Sequence, residues 1–123
     1  ELDGAVLADA VEDLYNYGDM DLIVVHMPEG SYLQDRDGFQ FSAGSLILPD
    51  RFIVGAVGAG DAFCAGMLFG LHEHWDYSEC VRLATGCAAA SLSAAGATEG
   101  VGSAEDVLRL LDQFPAREAP VTI

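Results

Sequence analysis

Apolar residues recur over 5–17 at Leu7, Val11, Leu14 and Tyr15, with acids at Asp9, Glu12 and Asp13 between them. Steps of four, three and one predict an amphipathic helix with a solvated acidic face. Gly18 is a plausible stop. Leu22-Ile-Val-Val25 is a continuous apolar run, the pattern of a buried parallel strand, and His26–Gly30 follows as the loop at its C-terminal end. Ser31–Gln34 and Phe39–Phe41 flank Asp35-Arg-Asp-Gly38. Alternation around an Asp-Gly pair predicts a β-hairpin. A second apolar stretch runs from Ser45 to Pro49, and Phe52-Ile-Val54 leads as a strand into a glycine turn.

Beyond that turn the period becomes helical. Asp61 opens a segment to about His74 carrying Phe63, Met67, Leu68 and Leu71, with Gly and Ala positions suited to close helix–sheet packing. Trp75–Ser78 interrupts it, with Ser78 a candidate N-cap. Glu79 to about Ala95 is an Ala-rich helix of the kind usually buried against other elements, and 95–102 is a Gly-rich loop. Ser103-Ala-Glu-Asp106 is a capping-box variant with Asp in the third helical position. It opens a last helix with Val107, Leu108, Leu110, Leu111 and Phe114, which Pro115 stops. There is no internal repeat and no interdomain linker. The order predicts one α/β unit with a mainly parallel sheet, flanking helices and a β-hairpin, and a ligand site at strand C-terminal ends.

Composition narrows the partners. Twenty acidic residues face five basic ones, a formal charge of −15. The basic residues are Arg36, Arg51, Arg82, Arg109 and Arg117, and Lys is absent. Nucleic acid and anionic membranes are poor partners for such a surface. No apolar run approaches the ~20 residues of a membrane span. The acidity fits a high-salt cytoplasm, where screening relieves self-repulsion. Molar salt is then expected to raise the unfolding midpoint, and a salt series without that rise contradicts the reading. Cys64, Cys80 and Cys87 form no CxxC pair, which favours neither a disulfide framework nor a zinc site. Cys64 and Cys87 lie among Ala, Gly, Phe and Met and read as buried thiols in a reducing, cytoplasmic compartment.

The chemistry concentrates in Val54–Leu71. Gly58 and Gly60 permit a tight bend and close approach to a ligand. The amides of Gly58, Ala59 and Gly60, at a helix start, lack intrahelical partners and favour an anion. Asp61 adds a carboxylate beside them. That pairing suits a reaction in which the carboxylate takes a proton while the turn holds developing negative charge. Capping alone fits the same residues, since Asp is a preferred helix starter. A P-loop needs a Lys that this chain lacks. A dinucleotide fingerprint fails because Gly55, Gly58 and Gly60 have reversed spacing, and from Gly58 the third glycine would fall on Phe63. The pair His72 and His74, at i and i+2 on a helix, diverges by about 200° and reads as a solvated helix end.

Gly58-Ala-Gly-Asp-Ala-Phe63, followed by Ala65-Gly66 and an apolar helix, resembles the second signature of the PfkB (ribokinase-like) carbohydrate kinases. The order of strand, hairpin, turn, Ala-rich helix and Gly-rich loop is similar to the C-terminal portion of that family. The resemblance implies a ribokinase-like layered fold, with 1–123 as the C-terminal portion of a single kinase domain. The N-terminal portion, with its lid, most sugar contacts and a magnesium-linked motif, would lie outside these residues. It implies ATP-dependent phosphorylation of a hydroxyl on a sugar or sugar-like molecule. Asp61 matches the catalytic base, and Gly58, Ala59 and Gly60 match the anion hole. ATP and Mg²⁺ are the implied cofactors, a small sugar is the implied substrate, and there is room for a homo-oligomer. No residue here matches a metal ligand.

Two departures limit the carry-over. Gly55-Ala56 stands where the family usually has Asp-Thr, so potassium (K⁺) activation is not carried over. Val25-His-Met-Pro-Glu-Gly30 aligns on its last glycine with the family's Thr-x-Gly-x-x-Gly loop, but Val25 replaces the Thr and Met27 the first Gly. Nucleotide contacts there are not carried over either. Two alternatives stay open: a non-catalytic sugar- or nucleotide-binding module, and a truncated piece inactive on its own.

Overall fold

The computed structural model describes residues 3–55, 57–93 and 103–123. The expected loop at 95–102, and Ala56, lie outside them. The chain divides into two compact units, 1–44 with 117–123, and 45–116.

The first unit contains one helix and one sheet. Helix α1, Gly4–Leu14, is capped by the Asp3 carboxylate, which accepts from the amides of Ala5 and Val6. Strands β1 (Leu22–Met27), β2 (Gly30–Asp35) and β3 (Gln40–Gly44) form a sheet in chain order. Both pairings are antiparallel, with Leu22 opposite Asp35 and Met27 opposite Gly30, then Gly30 opposite Gly44. The hairpin around Asp35–Gly38 is therefore as expected, and Asp35 Oδ1 closes its turn by accepting from Asp37 N at 2.9 Å and Phe39 N at 2.8 Å.

The expected mainly parallel sheet is corrected: among the described residues every named strand is antiparallel to its neighbour. Connection length is the reason. Only Pro28 and Glu29 separate β1 from β2, whereas a parallel pair needs a crossover of a dozen or more residues. Val11, Ile23, Tyr32 and Val121 make the core, with Leu7, Ala8, Tyr15, Met20 and Val25 against it. A polar network centred on the buried Tyr32 and Gln34 ties α1 to β2 and β3. Gln34 Nε2 donates to Glu12 at 2.6 Å, Tyr32 Oη donates to Gln34 Oε1 at 2.8 Å, and Gln40 Nε2 donates to Tyr32 Oη at 2.6 Å. Glu12, expected on a purely solvated face, thus holds one end of this network. Among the described residues no buried side-chain nitrogen or oxygen lacks a partner, so the network links three elements without leaving orphaned polar atoms.

The second unit is helical. Helices α2 (Ala59–His72), α3 (Tyr77–Leu92) and α4 (Ala104–Gln113) pack in sequence, α2 on α3 and α3 on α4. The predicted strand at 52–54 is absent. Asp50–Phe52 is a 3-10 helix, and the amides of Val54 and Gly55 donate to the Leu92 carbonyl instead. Helix α3 starts at Tyr77 with Asp76, not Ser78, as its cap. Ser103 caps α4 as expected: its Oγ accepts from Asp106 N at 3.2 Å. The Asp106 carboxylate meets Arg109 at 2.5 Å.

Small residues set the α2–α3 distance. A Cβ on Gly66 would fall 2.7 Å from the Ala84 Cα, and one on Gly70 would fall 2.7 Å from the Cys80 Sγ. The close packing expected of these glycines is therefore helix on helix rather than helix on sheet. The core gathers Ala62, Leu83, Cys87 and Val107. Burial pushes the Cys80 and Cys87 thiols above their ordinary pKa.

Candidate active site at the start of α2

Gly58 is the residue on which the turn depends. It is the N-cap of α2 with φ 87° and ψ 3°, the left-handed region. That region costs an L-residue about 1–2 kcal/mol. Gly58→Ala is therefore expected to destabilise the protein by about that amount, read by urea denaturation. An unchanged midpoint contradicts the role given to this glycine.

The helix begins at Ala59, two residues earlier than the expected start at Asp61. The Gly58 carbonyl accepts the first intrahelical bond, from Ala62 N at 2.8 Å. Helix geometry leaves the amides of Gly58, Ala59, Gly60 and Asp61 without intrahelical acceptors, and Gly58 has no side chain to cap them. Asp61's own amide thus joins the three that the sequence singled out. The helix dipole adds partial positive charge at the same end.

Asp61 lies in the first turn of α2 and is exposed. Its carboxylate and the free amides share one helix terminus, so the structure brings the four predicted site residues into one turn. Chemically, such a turn can hold an oxyanion while its carboxylate accepts a proton.

The histidines and cysteines are placed away from this turn's donors in different ways. His26 is on β1, opposite Ser31, and burial lowers its pKa. His72 and His74 are exposed at the end of α2, where His72 Nδ1 lies 3.2 Å from a Glu73 carboxylate oxygen. Cys64, expected to be buried, is exposed, while Cys80 and Cys87 are buried. Position explains the difference: α2 packs its Gly66 and Gly70 side on α3, and Cys64 falls on the other side. Among the described residues no helix is long and apolar enough to cross a membrane.

Comparison with known proteins decides the family. The sequence pattern of the pfkB family carbohydrate kinases matches residues 2–103. The chain belongs to the pfkB carbohydrate kinase family. It is 31% identical over 102 residues to the uncharacterized sugar kinase YeiI of Escherichia coli (strain K12), across 83% of this chain and 27% of that protein. The ribokinase of Arabidopsis thaliana, solved with ribose and ATP, is 27% identical with a TM-score of 0.71, over 85% of this chain and 33% of its own. The ribokinase of Thermotoga maritima shares the fold at 23% identity and a TM-score of 0.70, over 85% of this chain and 34% of its own. This pfkB family chain therefore spans about a third or less of the length of these relatives.

Proposed function

We propose that the protein to which these residues belong transfers the γ-phosphoryl group of ATP to a hydroxyl on a sugar or sugar-like small molecule. The carrying observation is the start of α2, with orphaned amides and one carboxylate on a left-handed glycine cap. The substrate oxygen attacks the γ-phosphorus, the bond from that phosphorus to the β–γ bridging oxygen breaks, and ADP departs. Asp61 takes the proton of the attacking hydroxyl. The amides at 58–60, joined by that of Asp61, stabilise the charge spreading over the transferring oxygens. Family membership and the ribose and ATP in the Arabidopsis relative support the substrate class.

Among the described residues no three His, Cys, Asp or Glu side chains gather as a metal cage. Mg²⁺ commonly binds through substrate phosphates with one or two carboxylates. Such an ion would arrive with the nucleotide and would supply charge neutralisation on its phosphates. Asp61 is the carboxylate of this chain nearest in sequence to the phosphate-binding amides.

A second reading has one specific observation behind it. Gly55-Ala56 and Val25–Gly30 depart from the family pattern, which favours binding of sugar or nucleotide without transfer. ADP formation by the protein with its natural upstream sequence, measured against a sugar and nucleoside panel, separates the two. Turnover supports the kinase, and saturable binding without turnover supports the module.

A further inference from the structure

Residues 117–123 belong to the first unit, although they follow the helices of the second along the chain. Glycines from three elements admit them. A Cβ on Gly4 of α1 would overlap the Pro120 carbonyl oxygen, and one on Gly44 of β3 would overlap the Arg117 carbonyl. A Cβ on Gly30 of β2 would lie 3.0 Å from Pro120 Cδ. The backbone thus passes close to positions where a side chain would block it. Beyond these glycines Val121 enters the core beside Val11, Ile23 and Tyr32 and is only 5% exposed. Its amide donates to Ser42 Oγ at 3.2 Å, and that hydroxyl donates in turn to the Ser31 carbonyl at 2.8 Å.

The hold is deep at one point and shallow around it. Arg117, Glu118, Ala119, Thr122 and Ile123 are exposed, and Pro120 is half-buried. An open groove separates Gln40–Ser42 of β3 from the residues on either side of Pro120, and 117–123 contains no strand, so segment and strand share no ladder. We infer that Arg117–Val121 is a latch. Closed, it seats Val121 in the core beside α1 and β2. Open, it leaves as a unit while the sheet stays folded. A segment with one buried anchor and an otherwise exposed backbone opens at lower free energy than the strands of a core. Opening uncovers Val11, Ile23 and Tyr32 together with the outer edge of β3, so the latch controls when that apolar surface and that strand edge are accessible. Nothing in this depends on the chemistry at Asp61.

Hydrogen exchange of the whole protein, followed amide by amide through a series of sub-denaturing urea concentrations, tests the latch. The Val121 amide is expected to be protected at least about tenfold relative to an unfolded chain, yet to exchange at least about tenfold faster than the Leu33 amide of the central strand β2. Its rate should hardly respond to urea, because a local opening exposes little surface, whereas the Leu33 rate should rise steeply. Val121→Asp, which cannot be buried unpaired, is expected to bring the amide at 121 to the unfolded-chain rate while Leu33 stays protected at least about a hundredfold. Exchange of Val121 in step with Leu33 across the urea series makes the segment an inseparable part of the core and overturns the latch. Loss of Leu33 protection in Val121→Asp does the same. Exchange of the wild-type Val121 amide at the unfolded-chain rate means that the segment is not docked, which overturns it as well.

Discussion

Asp61→Asn is expected to lower kcat for phosphoryl transfer by about 10²–10⁴-fold, the range for a lost general base. At 1.36 kcal/mol per tenfold this is about 3–5 kcal/mol of transition-state stabilisation. The substitution keeps the side-chain shape at the third position of α2 and leaves the amides of Gly58, Ala59 and Gly60 in place. Binding of ATP should therefore survive, and its KM should change little. Helix stability should change by no more than about 1 kcal/mol, the scale of a carboxylate–dipole interaction at a helix start. This split distinguishes a base from a first-turn carboxylate that only complements the helix dipole. In the second case Asn loses at most that small dipole interaction and kcat stays near wild type. Steady-state kinetics with ATP varied at saturating sugar, together with a denaturation curve, reads both quantities on the same variant.

A large stability effect is expected at Gly66, at the α2–α3 contact. Even one methyl there would meet the backbone of Ala84 at 2.7 Å from Cα and 3.0 Å from N, with the Cys87 Sγ at 3.1 Å. Backbone does not yield as a flexible side chain does, so α2 and α3 must move apart. Overpacking of this kind costs about 1–3 kcal/mol. Gly66→Ala is expected in that range and Gly66→Val at or above its top. Adding Cys87→Ala should not rescue Gly66→Ala, because the two nearest atoms belong to the Ala84 backbone. Gly55 supplies the control: a Cβ there meets nothing within 4 Å. Gly55→Ala should be neutral, or slightly stabilising through lost freedom of the unfolded chain. Equal midpoints for Gly66→Ala and Gly55→Ala, measured by urea denaturation, would contradict this account of the α2–α3 contact.

What was legible in the sequence follows from the range of the forces involved. The hairpin at Asp35–Gly38 and the Ser103 cap are decided within a few residues, and local signals found both. Helix α3 was legible because Ala, Cys and Gly leave it no polar face long enough to be solvated. The strand direction of Leu22–Val25 was not legible from apolar content. A continuous apolar run fits a parallel or an antiparallel strand, and the two-residue link at Pro28-Glu29 settles it. Phe52–Val54 failed as a strand for a related reason. Strand propensity needs a neighbour, and the amides of Val54 and Gly55 are taken by Leu92 at the end of α3. Cys64 misled because its neighbours in sequence are small and apolar, while its position around the helix turns it away from α3.

At the candidate site the sequence located the turn but not its internal register. Gly58 was marked as permissive, and the structure makes it a left-handed cap. Moving the helix start to Ala59 adds the Asp61 amide to the set proposed to bind an anion and puts carboxylate and donors on one turn. The network of Glu12, Gln34, Tyr32 and Gln40 gave no sequence signal, because its members come from three elements and have no common spacing.

The most direct measurement of the central claim follows the phosphorus itself. The protein with its natural upstream sequence is incubated with γ-labelled ATP and a panel of sugars and nucleosides, and the products are separated and identified. The account predicts label on a hydroxyl of one or a few small carbohydrates, equimolar with ADP, and its near-disappearance in Asp61→Asn. Saturable binding of sugar and ATP with no labelled carbohydrate, or transfer undiminished in Asp61→Asn, would contradict it.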